Sequence, residues 1–195
     1  MKPRLFLAAI AVVACSGCVQ SLRRPVPLGG SGAALPDACA AQGCVVFATS
    51  AGDIVVRLMR AEAPRACAAF EQWIPRGGFS LDRAVPGFMI QGGGPSPAKI
   101  FESPIPEAKP PEFSRFSRPG FLAFSGAPEE NRFFITLSPA PWLDGKYAAF
   151  GEIVSGLEIA GALAAGRREL YDAAGKRTDR LLEPNLLKDV RLLAR

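Results

Sequence analysis

Apolar residues in this chain come in short blocks, not in long helical stripes. Val45-Val46-Phe47-Ala48-Thr49 and Ile54-Val55-Val56-Arg57-Leu58 are rich in β-branched residues and are separated by Ser50-Ala51-Gly52-Asp53, which predicts two strands joined by a hairpin. Ala63-Pro64 opens a stretch in which Ala63, Cys67, Phe70 and Ile74 recur at helical spacing. Pro64 is early enough that its missing N–H costs the helix nothing. Pro75-Arg76-Gly77-Gly78 ends it. A strand is predicted from Arg83 to Gln91, closed by Gly92-Gly93-Gly94. From Pro95 to Pro119 the proline content disfavours helix. Phe121–Ser125, Phe133–Leu137 and Ala148–Val154 read as further strands, and Leu157–Ala165 as a helix of about two turns. Arg167–Asn185 is polar and turn-rich, and Leu186–Leu193 reads as a last strand. Many short strands with two helices predict a closed antiparallel barrel capped at its ends, because closure removes exposed edges.

Composition narrows the function classes. The chain has 195 residues, 49% hydrophobic and 21% charged, which bounds it to one well-cored globular domain. It contains no histidine. That removes the usual general base, the Ser-His and Cys-His nucleophile pairs and the commonest metal ligand. No metal site and no cofactor are implied. The net charge of +5 falls to +3 once the two positive charges of Lys2 and Arg4 leave with a leader. The remaining basic residues are scattered, which argues against nucleic acid as a partner.

The first residues carry an address. Met1-Lys2-Pro3-Arg4 is a short positive region, and Leu5 to Ala14 is an apolar run too short for a stable membrane anchor. It ends at Cys15, with Cys18 three residues on, and so resembles a bacterial lipoprotein signal whose cysteine is acylated after cleavage. Val12-Val13-Ala14-Cys15 fits that pattern better than Cys15-Ser16-Gly17-Cys18, because cysteine is a poor residue three places before a cut. An ordinary secretory signal, releasing a soluble periplasmic or secreted protein, is the alternative. Residues 1–14 are therefore expected to be a signal peptide, 15–43 a Gly-, Pro- and Ala-rich tether, and 44–195 the folded domain. In an oxidising compartment Cys39 and Cys44 could close a small disulfide loop before the first strand. Cys67, within a helical pattern, reads as a buried, inert thiol.

Two segments carry the chemistry. Arg83-Ala84-Val85-Pro86-Gly87-Phe88-Met89-Ile90-Gln91-Gly92-Gly93 supplies one arginine beside bulky apolar groups. Phe133-Phe134-Ile135-Thr136-Leu137 runs on to Trp142-Leu143-Asp144-Gly145-Lys146-Tyr147. A pocket floored by Phe, Met and Leu with a fixed cation at its edge suits a cyclic apolar ligand with amide polarity, such as a prolyl peptide bond.

These segments resemble the signature regions of the cyclophilin family of peptidyl-prolyl cis-trans isomerases, and the similarity extends over residues from about 45 to 193. The resemblance implies an eight-stranded antiparallel barrel with a helix over each mouth, and a monomer. It implies Arg83 as the catalytic residue, with Phe88, Met89, Gln91, Ser125, Arg132, Phe134, Trp142, Leu143 and Tyr147 at substrate-contacting positions. Phe134 and Leu143 would line the proline pocket, and Trp142 would stand at its rim. The chain departs from the pattern at Leu81-Asp82, which replaces Phe-His before the arginine. Arg132 replaces the glutamine that precedes Phe-Phe. A second cation there would repel Arg83 unless Asp82, Glu129 or Glu130 compensates. The implied partners are proline-containing unfolded or exported polypeptides, with the membrane reached through the N-terminal lipid. A module that binds proline peptides with little turnover is the competing expectation.

Overall fold

The computed structural model of the chain describes residues 39, 43–94, 111–125 and 132–193. The leader, Cys15, Cys18, most of the tether, residues 95–110 of the Pro-rich connection, Glu129 and Glu130 lie outside the described residues. Ten strands and two α-helices follow in the order β1 (Cys44–Ala48), β2 (Asp53–Leu58), α1 (Pro64–Trp73), β3 (Ser80–Val85), β4 (Met89–Gly93), β5 (Phe121–Phe124), β6 (Arg132–Thr136), β7 (Ala149–Ser155), α2 (Leu157–Ala164), β8 (Arg168–Tyr171), β9 (Arg177–Leu186) and β10 (Asp189–Leu193). All pairings are antiparallel, in the order β10-β1-β2-β7-β5-β6-β4-β3-β9-β8.

Two expectations need correction. The stretch Arg83–Gln91 is not one strand but the two sides of a hairpin. Pro86-Gly87 makes its turn: Gly87 has φ +70° and Phe88 N–H donates to Val85 C=O at 3.0 Å. Proline followed by a positive-φ glycine is the pairing a type II turn requires. The second correction concerns Arg167–Asn185, which forms the β8–β9 hairpin. Its loop closes when Asp172 Oδ1 accepts from the Ala174 and Lys176 N–H groups, both at 2.9 Å. The hairpin is largely solvated, so its polar composition hid the strands. The described strands number ten, against the eight of the expected barrel, and among the described residues no ladder joins the edge strands β10 and β8, so hydrogen bonds do not close the sheet. The chain nonetheless passes from β9 into β10 through Leu187 and Lys188 alone. Leu187 N–H donates to Phe79 C=O beside β3, and Lys188 N–H to Ala48 C=O on β1.

Strand alternation sorts side chains into two apolar clusters. One face carries Val45, Phe47, Ile54, Val56, Leu58, Leu81, Ile90, Leu122, Phe133, Ile135 and Phe150 into a core that both helices cover. Phe70 of α1 is fully buried at its centre, 5.0 Å ring to ring from Phe150 and edge-on to Phe133 at 5.9 Å. Replacing such a ring by alanine costs about 3–5 kcal/mol. The opposite face of β4–β7 is also covered: Met89, Phe121, Ala123, Phe134 and Ala149 pack with Met59, Phe116 and Ala140. Strands buried on both faces read as continuous apolar runs, which is why Phe133-Phe134-Ile135 shows no alternation.

The segment that covers this second cluster is stapled to α1. Ala63 offers the helix no side-chain cap; instead Glu112 Oε2 accepts from the Arg65 and Ala66 N–H groups at 3.1 and 3.2 Å. A carboxylate at a helix N-terminus satisfies orphan donors and favours the helix dipole. At the head of β1, a disulfide joins Cys39 to Cys44, and Gly43 N–H between them donates to Cys39 C=O.

Candidate active site

The register of the sheet lays the site out as one transverse row. Arg83 of β3 pairs with Gln91 of β4, Gln91 with Phe134 of β6, and Phe134 with Ala123 of β5. All four belong to the side of the sheet away from the main core. Arg83 reaches that side through a bulge. Leu81 pairs with Gly92 and Arg83 with Gln91, leaving Asp82 as an extra residue. The bulge lets Leu81 stay in the core while Asp82 and Arg83 both turn outward.

Three groups hold the Arg83 guanidinium. Nε donates to Thr178 C=O at 2.9 Å, Nη1 donates to Gln91 Oε1 at 2.9 Å, and Nη2 lies 3.5 Å from Asp179 Oδ2. Gln91 is in turn fixed, because its Nε2 donates to Ser125 Oγ at 2.8 Å. The Arg83 side chain remains 36% exposed despite the ion pair. A guanidinium has five N–H groups, and only two of these are hydrogen-bonded among the described residues. The other three make no hydrogen bond among the described residues.

Arg132, the second cation the sequence flagged, forms a two-pronged pair with Asp82: Nη1 donates to Oδ2 at 3.0 Å, and Nη2 to Oδ1. The bulge residue thus neutralises Arg132. Asp82 is the compensating group among the described residues.

Beside the row lies an apolar cluster. Phe134 is buried and stacks on Phe116 at 6.0 Å, while Tyr147 meets it edge-on at 5.4 Å. Met89 is buried in the same cluster, with Phe88 and Leu143 half-buried against it. Trp142, 55% exposed, lies 5.6 Å from the Phe88 ring. Trp142 and Leu143 sit on a 3₁₀ turn, Pro141–Leu143. Asp144 anchors that turn to the covering segment by accepting from Phe116 N–H at 2.7 Å. Arg83, Gln91 and Phe134 therefore share the row, Ser125 joins it through Gln91, and Phe88, Met89, Trp142, Leu143 and Tyr147 surround the Phe134 ring or pack in its cluster; Arg132 stands apart, paired with Asp82.

Four contributors escaped the sequence reading: Phe116, Asp144 in its anchoring role, Thr178 and Asp179. Phe113 and Phe116 are visible as aromatics in a Pro-rich stretch, and that signal could have found this part of the cluster. Nothing local marks Thr178 or Asp179, because only the β3–β9 pairing brings them to Arg83. Among the described residues no group of three or more His, Cys, Asp or Glu side chains could hold a metal ion.

The model of the family described as cyclophilin type peptidyl-prolyl cis-trans isomerase/CLD matches residues 44–186. The chain is 33% identical over 124 residues to a peptidyl-prolyl cis-trans isomerase-like 1 of Gibberella zeae, covering 58% of this chain and 76% of that protein. It is 36% identical over 124 residues to the Homo sapiens protein of the same description, covering 58% and 74%. The crystal structure of a Cryptosporidium parvum cyclophilin type peptidyl-prolyl cis-trans isomerase is similar in fold. Its TM-score is 0.63 at 24% identity, over 78% of this chain and 98% of that one. A second structure of that parasite protein was solved in the presence of the dipeptide Ala-Pro.

Proposed function

The chain belongs to the cyclophilin-type peptidyl-prolyl cis-trans isomerase family, and from that premise we propose that it rotates X-Pro bonds in exported polypeptides and so assists their folding. The observation that carries this reading is a partly exposed guanidinium, fixed by Gln91, in one register row with Phe134 of the apolar cluster that Met89, Phe88 and Leu143 share, and this cluster is the slot proposed for the ring.

The reaction needs no proton transfer and no nucleophile. Holding an X-Pro bond in cis costs only about 0.5–1 kcal/mol, so the obstacle is the resonance barrier of about 18–20 kcal/mol. At about 20 kcal/mol the rate is on the order of 0.01 per second, and reaching roughly a thousand per second requires lowering the barrier by about 7 kcal/mol. As the bond twists, conjugation is lost and a lone pair develops on the prolyl nitrogen. An N–H of Arg83 left free by Gln91 and Thr178 donates to that nitrogen, a poor acceptor in the planar ground state. The contact is therefore stronger in the transition state than in either ground state, which is what accelerates a reaction. A preorganised donor is worth about 3–4 kcal/mol by comparison with oxyanion holes. Seating the ring in the slot, with water excluded from the amide, supplies the remainder. Gln91 has one further lone pair and one further N–H for the substrate backbone.

The strand order and the short passage from β9 to β10 support a sheet curled into the family's closed barrel. An experimental structure with a flat, open sheet would contradict that. The leader supports a lipid-anchored, periplasm-facing protein, since two or more acyl chains give stable anchoring. Partition of the mature chain into the aqueous phase of a detergent split, with processing insensitive to globomycin, would contradict the anchor.

Catalysis is tested with a protease-coupled prolyl peptide assay on the chain and on Arg83→Ala. The expected result is catalysed isomerisation that falls at least tenfold in the variant, with thermal stability nearly unchanged. Arg132 at the glutamine position favours a second reading, a proline-peptide binding module. Micromolar peptide binding without faster isomerisation would select it.

A further inference from the structure

The β8–β9 hairpin delivers a buried acid to the arginine of the site. Asp179 is the described non-glycine residue with a left-handed backbone, φ +51°, and its side chain is only 3% exposed. Aspartate tolerates that conformation better than most residues, but it is seldom adopted without a reason in the surrounding contacts. Here the contacts are two guanidinium groups. Arg177 Nε donates to Asp179 Oδ1 and Oδ2 at 3.2 and 2.9 Å, and Arg83 Nη2 stands 3.5 Å from Oδ2. The preceding residue, Thr178, accepts from Arg83 Nε through its carbonyl. Two consecutive residues of β9 thus grip Arg83 from the side opposite Gln91. Asp179 does so by charge without a hydrogen bond, so among the described residues neither Nη2 hydrogen is in a hydrogen bond. Burial makes the charge count for more than it would in water. β9 is aligned for this by its pairing with β3, in which Arg83 faces Arg180. Arg180 is turned to a different acid, Glu169 of β8, at 2.9 Å.

Resting on the functional reading above, we propose that Asp179 is a positioning residue for catalysis: it aims the Arg83 guanidinium at the prolyl nitrogen while leaving its Nη2 donors free. Asp179 is too buried to touch substrate, so it acts on the rate and not on binding. The test uses the full chain as wild type, Asp179→Asn, Asp179→Gly, Arg83→Ala and the Asp179→Asn/Arg83→Ala double variant. Steady-state isomerisation and thermal melting are measured for each. Asparagine keeps the shape and tolerates the positive φ, and glycine adopts that φ without strain. Both single Asp179 variants are expected to melt cooperatively, with kcat lowered about tenfold and KM changed less than about twofold. Once Arg83 is alanine, Asp179→Asn is expected to change kcat/KM by less than about twofold. An equal loss in both backgrounds would make Asp179 a residue of the fold and overturn the proposal. So would unchanged kcat in a folded Asp179→Asn, or failure of both Asp179 variants to melt cooperatively. The functional reading stands in those cases so long as Arg83→Ala alone is impaired. Full activity in Arg83→Ala sinks both together.

Discussion

Gln91 is the hinge of the polar half of the site, and its replacement separates the effect of a tether from that of a packed volume. It is buried in the middle of β4, accepts from Arg83 Nη1 at 2.9 Å and donates to Ser125 Oγ at 2.8 Å. A net hydrogen bond is worth about 0.5–1.5 kcal/mol, and one to a charged group about 1.5–3. Arg83 and Ser125 both keep access to water, which takes up part of what the amide gives, so Gln91→Ala should cost about 1–2 kcal/mol of stability. For a domain of this size that is a drop of a few degrees in Tm. The loss in kcat/KM should be larger than stability explains, about tenfold, because the guanidinium loses the tether nearest the slot. Gln91→Leu keeps most of the volume and should lose as much activity with a smaller drop in Tm. In Gln91→Glu the Arg83 contact persists with added charge, and the Ser125 hydroxyl can turn from acceptor to donor. That variant should stay within about threefold of wild type. The protease-coupled assay and a melting curve on all three variants give the comparison. Activity in Gln91→Ala within about twofold of wild type would refute the tether.

Three further outcomes follow from the fold. Burial alone would raise the Glu152 carboxyl, but hydrogen bonds from Arg118 and Arg57 outweigh it and hold the group below its ordinary 4.5. A depressed folded value contributes stability that is present above 4.5 and lost as pH falls through the folded value, so Glu152→Gln should flatten the acid limb of Tm against pH. Burial pushes the Cys67 thiol up to about 12 from its ordinary 9.0. Its contribution is complete below 9.0 and is lost as pH rises toward 12, and iodoacetamide at pH near 8 should label it only after denaturation. A Cβ at Gly92 would collide with the Ser80 carbonyl oxygen, a backbone atom that cannot yield without parting β3 from β4. Gly92→Ala should therefore cost at least about 3 kcal/mol in urea unfolding, and a loss under about 1 would contradict that packing.

How much of this was legible before the structure depended on the range of each interaction. The hairpin of β1 and β2, both helices and the β5–β7 strands follow from local periodicity and turn residues, and their bounds shift by a residue or two. Pro86-Gly87 carries a turn signal that the apolar run around it obscures, so the sequence predicts one strand where a hairpin stands. The polar β8–β9 hairpin had no periodicity to read, because water covers much of it. At the site, Arg83, Gln91 and Phe134 are foreseeable from their segments, but their meeting in one row is a property of register. The neutralisation of Arg132 by Asp82 was one of three options in the sequence, and the bulge at Asp82 is what puts it within reach. Asp179 lies 96 positions from Arg83, and no local pattern links them.

The account turns on Arg83 favouring a twisted prolyl amide over a planar one. Exchange NMR on an Ala-Pro peptide, with the chain and Arg83→Ala side by side, reads the catalysed cis–trans rate and the dissociation constant from the same samples. The expected result is a rate at least about tenfold lower in the variant, with the dissociation constant moved by less than about threefold. An unchanged rate, or affinity lost by the same factor as the rate, would contradict it.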